Sequence, residues 1–74
     1  MGYLYGKEKI DAINAMPIGT KIHVEGVIGG STVKNGAMFF KNNEWRIPVK
    51  YYDQGMEPGT EYNEYVNGII VERV

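Results

Sequence analysis

Lys21-Ile22-His23-Val24-Glu25-Gly26-Val27-Ile28 decides how this chain reads. Ile22 and Val24 alternate with Lys21, His23 and Glu25, the two-residue period of a half-buried strand. Gly26 interrupts the alternation, and Val27-Ile28 resumes it with shifted parity. A glycine at such a point marks a bulge or sharp bend, so one long strand can curl through both halves of a small barrel.

Upstream the period is different. Ile10, Ile13 and Met16 recur at three-residue steps, while Lys7, Glu8, Lys9, Asp11 and Asn14 fill the other side. This predicts one helix over about residues 7–16, ended by Pro17. So short a helix is marginal alone and must dock on the sheet.

Downstream, Gly29-Gly30-Ser31-Thr32 reads as a loop, since no helix start or phosphate-binding lysine follows it. Asn35-Gly36 carries the strongest hairpin signal, and Asn42-Asn43 and Asn67-Gly68 are further turns. Between them lie a strand over 37–41, with Met38 and Phe40 inward, and a long one alternating Trp45, Ile47, Val49 and Tyr51 with Arg46, Pro48, Lys50 and Tyr52. Trp45 is read as a core or rim anchor. Pro48 lacks an amide donor and belongs on an edge or at a bulge. Pro17-Ile18-Gly19-Thr20 and Pro58-Gly59-Thr60 show the same turn chemistry twice, each leading into a strand. About five strands result, over a single domain spanning 1–74.

The chain has 74 residues, a 43% hydrophobic and 23% charged composition, no cysteine and one histidine. That composition suits a globular domain; it excludes disulfides and thiolate metal sites, and one histidine is too few for a histidine metal cluster. No cofactor or metal is expected, and no enzymatic activity. His23 with Glu25 lacks a partner nucleophile, so no catalytic residue is assigned. The apolar runs fall far short of the ~20 residues needed to cross a bilayer. No signal peptide is visible, which points to the cytoplasm. Net charge is −1, yet residues 1–50 hold seven Lys/Arg against four Asp/Glu, and residues 51–74 hold one against five.

The order of elements resembles a minimal OB-fold over residues 20–74. The residues that carry the likeness are the glycine-bent 21–28 strand, Gly36-Ala37-Met38-Phe39-Phe40, Trp45-Arg46-Ile47-Pro48-Val49-Lys50-Tyr51, and Pro58-Gly59-Thr60 leading to Tyr65-Val66-Asn67-Gly68-Ile69-Ile70-Val71. Two features depart from the pattern: the helix precedes the first strand, and the link before the fourth is short. An SH3-like barrel or a helix on a curved antiparallel sheet fits the same rhythm. The expected class is therefore mostly β with one N-terminal helix. In size and lack of a catalytic constellation the chain also resembles the small accessory proteins of bacteriophages and mobile elements.

Two candidate surfaces follow. With Ile22, Val24, Ile47 and Val49 inward, the outer face holds Lys21, His23, Phe39, Lys41, Arg46, Lys50 and Tyr52. Cations interleaved with rings suit single-stranded DNA or RNA, and the OB-fold resemblance implies a nucleic-acid-binding face there. The alternative is a protein-binding module, such as a phage-encoded inhibitor of a host enzyme or defence protein. It would act through the acidic, tyrosine-rich Asp53, Glu57, Glu61, Tyr62, Glu64 and Tyr65. The Ile69-Ile70-Val71 edge offers a route to a homodimer.

Overall fold

The computed structural model describes residues 2–26, 32–52 and 57–73. The expected Val27-Ile28 continuation of the first strand, most of the glycine loop after it, and Asp53 lie outside these. The chain forms α1 (Gly6–Ala15), β1 (Lys21–Val24), β2 (Thr32–Lys34), β3 (Phe39–Lys41), β4 (Glu44–Tyr51), β5 (Thr60–Tyr65), a one-turn 3-10 helix (Val66–Gly68) and β6 (Ile69–Ile70). The helix lies one residue earlier than its periodicity indicates. Mostly β with one N-terminal helix is the observed class, with six strands where about five were expected. Thr32, placed in the loop by its sequence context, is buried at the start of β2.

All pairings are antiparallel, and β4 is the hub. β5 runs along it from Arg46 to Tyr51, β3 pairs with 44–46, and β2 pairs with 49–51. Arg46 faces both Phe39 and Tyr65, so β3 lies on the side away from β5, end to end with β2. β2 then pairs with β1 and β1 with β6. β5 and β6 thus end up far apart in strand order although only Val66–Gly68 separates them in sequence. The sheet must curl to satisfy that three-residue link, whose reach is about 10 Å. It does not close, because β5 and β6 do not pair.

The register assigns the faces. Ile22, Val24, Ile47, Val49, Tyr51 and Ile69 point to one side and are buried with Val66 and Ile13 of α1. Ile10, Met16, Met38 and Val71 pack around them. Lys34 shares this face, 4% exposed, and its ammonium donates to the carbonyls of Ile13 (3.0 Å), Asn14 (3.3 Å) and Met16 (2.6 Å). One lysine thereby satisfies the open C-terminal end of the helix and ties it to β2.

The turns Pro17-Ile18-Gly19-Thr20 and Glu57-Pro58-Gly59-Thr60 take one geometry, with glycine and threonine in matching places and proline one position apart. Gly19 (φ 97°) and Gly59 (φ 83°) adopt left-handed backbone, and the following threonines bond back to Pro17 and Glu57 through amide and hydroxyl. Asn35-Gly36 is not a hairpin turn, since β2 and β3 do not pair with each other. Gly36 instead lies flat against Pro48, where an added Cβ would come within 3.3 Å of the ring's Cγ. The two-residue turn with left-handed backbone at both positions is Asn42-Asn43 (φ 53° and 62°). Asn67-Gly68 belongs to the 3-10 helix and joins strands at opposite ends of the sheet, so it is no hairpin either.

Pro48 occupies the hub strand rather than an edge. Its carbonyl accepts from the Asn35 amide at 2.8 Å, so its donor-less nitrogen faces the gap between β2 and β3. No ladder bond is lost there, which is why proline is tolerated in the most heavily paired strand.

Candidate functional site

Strand alternation puts Lys21, His23, Phe39, Lys41, Arg46 and Lys50 on the face away from α1. Tyr52, one residue past β4, is exposed. The same register brings residues of the acidic segment into that face. From that segment Glu61 stands opposite Lys50, and within the basic half Glu44 stands opposite Lys41. Arg46 lies between Phe39 and Tyr65 in a row across three strands. Its guanidinium carbon is 4.6 Å from the centroid of the Tyr65 ring, and Nη2 donates to the Tyr65 hydroxyl at 3.1 Å. The basic and acidic halves of the sequence are therefore laid side by side, not on opposite surfaces.

The acidic set is divided by the pleat. Glu61 and Tyr65 look outward with the cations, while Tyr62 and Glu64 share the face of the core. Tyr62 is 54% exposed and meets buried Tyr51 edge to face at 6.0 Å, and the Tyr51 hydroxyl donates to Glu64. Glu61 accepts from Asn35 Nδ2 at 3.2 Å. Glu57 is exposed at the turn into β5.

Phe40 departs from the expected burial, whereas Trp45 takes the rim position that is one of its two expected places. They face each other across the β3–β4 hairpin on the core side, with ring centroids 5.3 Å apart. Phe40 is nevertheless 57% and Trp45 38% exposed. Phe40 has the inward parity but not the burial, and Phe39 opposite Arg46 is half-buried. Trp45 is a rim residue. A groove of about 300 Å³ beside it is lined by Tyr5, Lys9, Ile10, Tyr65 and Val66. Burial there pushes the Lys9 ammonium below its ordinary value, with Glu25 opposing the shift.

Sequence reasoning missed Lys34 and the exposure of Phe40. The signal for Lys34 was its place two residues after Thr32 on the inward parity of β2.

Among the described residues no three His, Cys, Asp or Glu side chains converge as metal ligands, and no helix is long and apolar enough to cross a membrane. Comparison with known proteins finds no matching family model, no matching curated protein and no matching solved structure.

Proposed function

We propose that this chain is a small non-enzymatic protein-binding module that docks through β5 and its flanks: Glu57, Glu61, Tyr62, Glu64 and Tyr65. A phage-encoded inhibitor of a host enzyme or defence protein is one form such a module takes. The observation that carries this reading is the position of β5. It is a six-residue strand at the border of the sheet, carrying two glutamates, no cation, and tyrosines 54% and 41% exposed. Tyrosine gives large contact area at low entropy cost, and carboxylates steer a basic partner. The test is capture of one defined partner on the immobilised chain after nuclease treatment, followed by the Glu61→Arg, Tyr62→Ala variant. Loss of that partner from a folded variant supports the reading; undiminished capture refutes it.

A second reading is single-strand nucleic-acid binding on the outer face. It is favoured by Lys21, His23, Phe39, Lys41, Arg46 and Lys50 sharing that face. It is weakened by Glu44 and Glu61, which stand opposite Lys41 and Lys50 and lower the potential that phosphates would meet. Salt-sensitive binding of an oligothymidine, lost in Phe39→Ala with Arg46→Ala, would favour it over the first.

A further inference from the structure

Two borders of the curled sheet are treated differently. Beside β6 the chain covers itself: the Leu4 amide donates to Val71 O at 2.9 Å, the Arg73 amide to Gly2 O at 2.8 Å, and Tyr3 bridges to Glu72. Of the Ile69-Ile70-Val71 edge, Val71 is thus taken by the chain's own N-terminal segment, which shortens the edge left for a homodimer. Nothing among the described residues pairs with the outer side of β5.

Pro48 settles which backbone groups that side presents. An antiparallel pair either exchanges both amide bonds or neither, and Pro48, opposite Asn63, has no amide hydrogen to give. Pro48 and Asn63 are therefore a non-bonded pair, and the Asn63 N–H and C=O point away from β4. By the two-residue period the same holds for Glu61 and Tyr65. The Tyr65 amide agrees, since it turns to the Glu64 carboxylate at 3.3 Å rather than to β4. Glu61 and Asn63 thus present open donors and acceptors and Tyr65 an open carbonyl, on a strand without the proline or lysine that commonly blunts such an edge.

We infer that β5 accepts an extended, lysine- or arginine-bearing segment of a partner protein as an added strand, its backbone pairing with Glu61, Asn63 and Tyr65. This rests on the protein-binding reading above and specifies its mode. Strand addition draws affinity from main-chain bonds and selectivity from alternate side chains. Here one face of the added strand passes Glu61 and Tyr65, and the other passes Tyr62 and Glu64, so each offers a carboxylate and a ring to a basic side chain. A second copy of this chain is disfavoured, because joining two β5 strands gathers four carboxylates on one seam.

The test uses an alternating lysine–valine heptapeptide and the same peptide N-methylated at two adjacent central residues. The methyl groups block both hydrogen-bonding edges and leave the charge unchanged. The unmodified peptide is expected to bind about tenfold or more tighter than the methylated one, since each lost backbone bond weighs on that scale. Amide shifts should centre on 60–65. Asn63→Pro removes an outward amide and no bond to β4, so it should fold and lose the preference between the peptides. If that variant does not fold, the peptide pair on the unaltered chain decides alone.

Equal affinity for both peptides overturns strand addition while leaving an acidic protein-binding surface intact. No binding of the unmodified peptide at about 1 mM overturns it too, although a partner captured through Glu61 and Tyr62 would still support the protein-binding reading. Displacement of the peptide by oligothymidine, with shifts at Lys21, Lys41 and Lys50, overturns it in favour of nucleic acid. A dimer in sedimentation that Asn63→Pro dissolves overturns it in favour of self-pairing.

Discussion

The ammonium of Lys34 lies 2.6 Å from the Met16 carbonyl and 3.0 Å from that of Ile13, inside the interface between helix and sheet. The last turn of a helix leaves carbonyls without partners, and its dipole favours a cation there. A charge-assisted bond to such groups contributes more than a neutral one. Lys34→Met keeps the length of the side chain and removes every donor. It should destabilise the fold by about 2 kcal/mol, read as a lower urea midpoint with little change in slope. An unchanged midpoint would mean that the bonds merely compensate the cost of burying the ammonium.

A second cation of the interface behaves differently. Lys9, on α1 beside the Trp45 groove, has its pKa lowered from 10.5 by desolvation, with Glu25 acting in the opposite direction. The unfolded chain then holds the proton more tightly, so stability rises with pH as the folded-state pKa is crossed, up to about 10.5. At neutral pH the desolvation of the charged lysine opposes folding, offset in part by the bond from its ammonium to the Asn67 carbonyl at 3.5 Å. Lys9→Met should raise the melting temperature at pH 7, and the difference from the parent chain should narrow toward pH 10.5. A difference that stays constant over that range would trace the gain to added apolar contact instead.

Gly36 tests the packing that replaces the expected hairpin. A Cβ there would sit 3.3 Å from Pro48 Cγ, and the rigid pyrrolidine in a paired strand has little room to retreat. Gly36→Ala should therefore cost about 1 kcal/mol by overpacking. Trimming the ring with Pro48→Ala should recover part of that loss in the double variant, giving a coupling of about 0.5 kcal/mol or more in chemical denaturation. Strictly additive effects would place the strain elsewhere.

Strand periodicity made most of this architecture legible, because alternation fixes side-chain direction wherever one face is buried. Ile22, Val24, Ile47 and Val49 are buried as their pattern requires, and the two turns ending in Gly19-Thr20 and Gly59-Thr60 share a geometry that those common residues imply. The pairing of strands was less legible. Asn35-Gly36 fits a tight turn locally, but β2 and β3 each find β4, and a connection between strands sharing one neighbour cannot also be a hairpin. The site was read by charge along the chain, and folding set the acidic segment beside the basic one. Lys50 and Glu61 became cross-strand neighbours through a pairing that neither segment encodes alone.

Asn42-Asn43 does reverse the chain, between β3 and β4, and it carries the exposed Phe40–Trp45 pair. Both residues adopt left-handed backbone, with φ of 53° and 62°. Asparagine tolerates this region, whereas a β-branched side chain meets the following carbonyl at a cost of roughly 1–2 kcal/mol. Asn42→Val should lower stability by about that amount, and Asn43→Gly should be neutral or stabilising by a few tenths of a kcal/mol, since Asn-Gly is the favoured pair for such turns. The 5.3 Å contact between Phe40 and Trp45 depends on the same register. Asn42→Val should therefore also make Trp45 more accessible to iodide quenching, before global unfolding begins. Quenching that follows only the global transition would show that the hairpin tip is held by Met38 and α1 rather than by its turn.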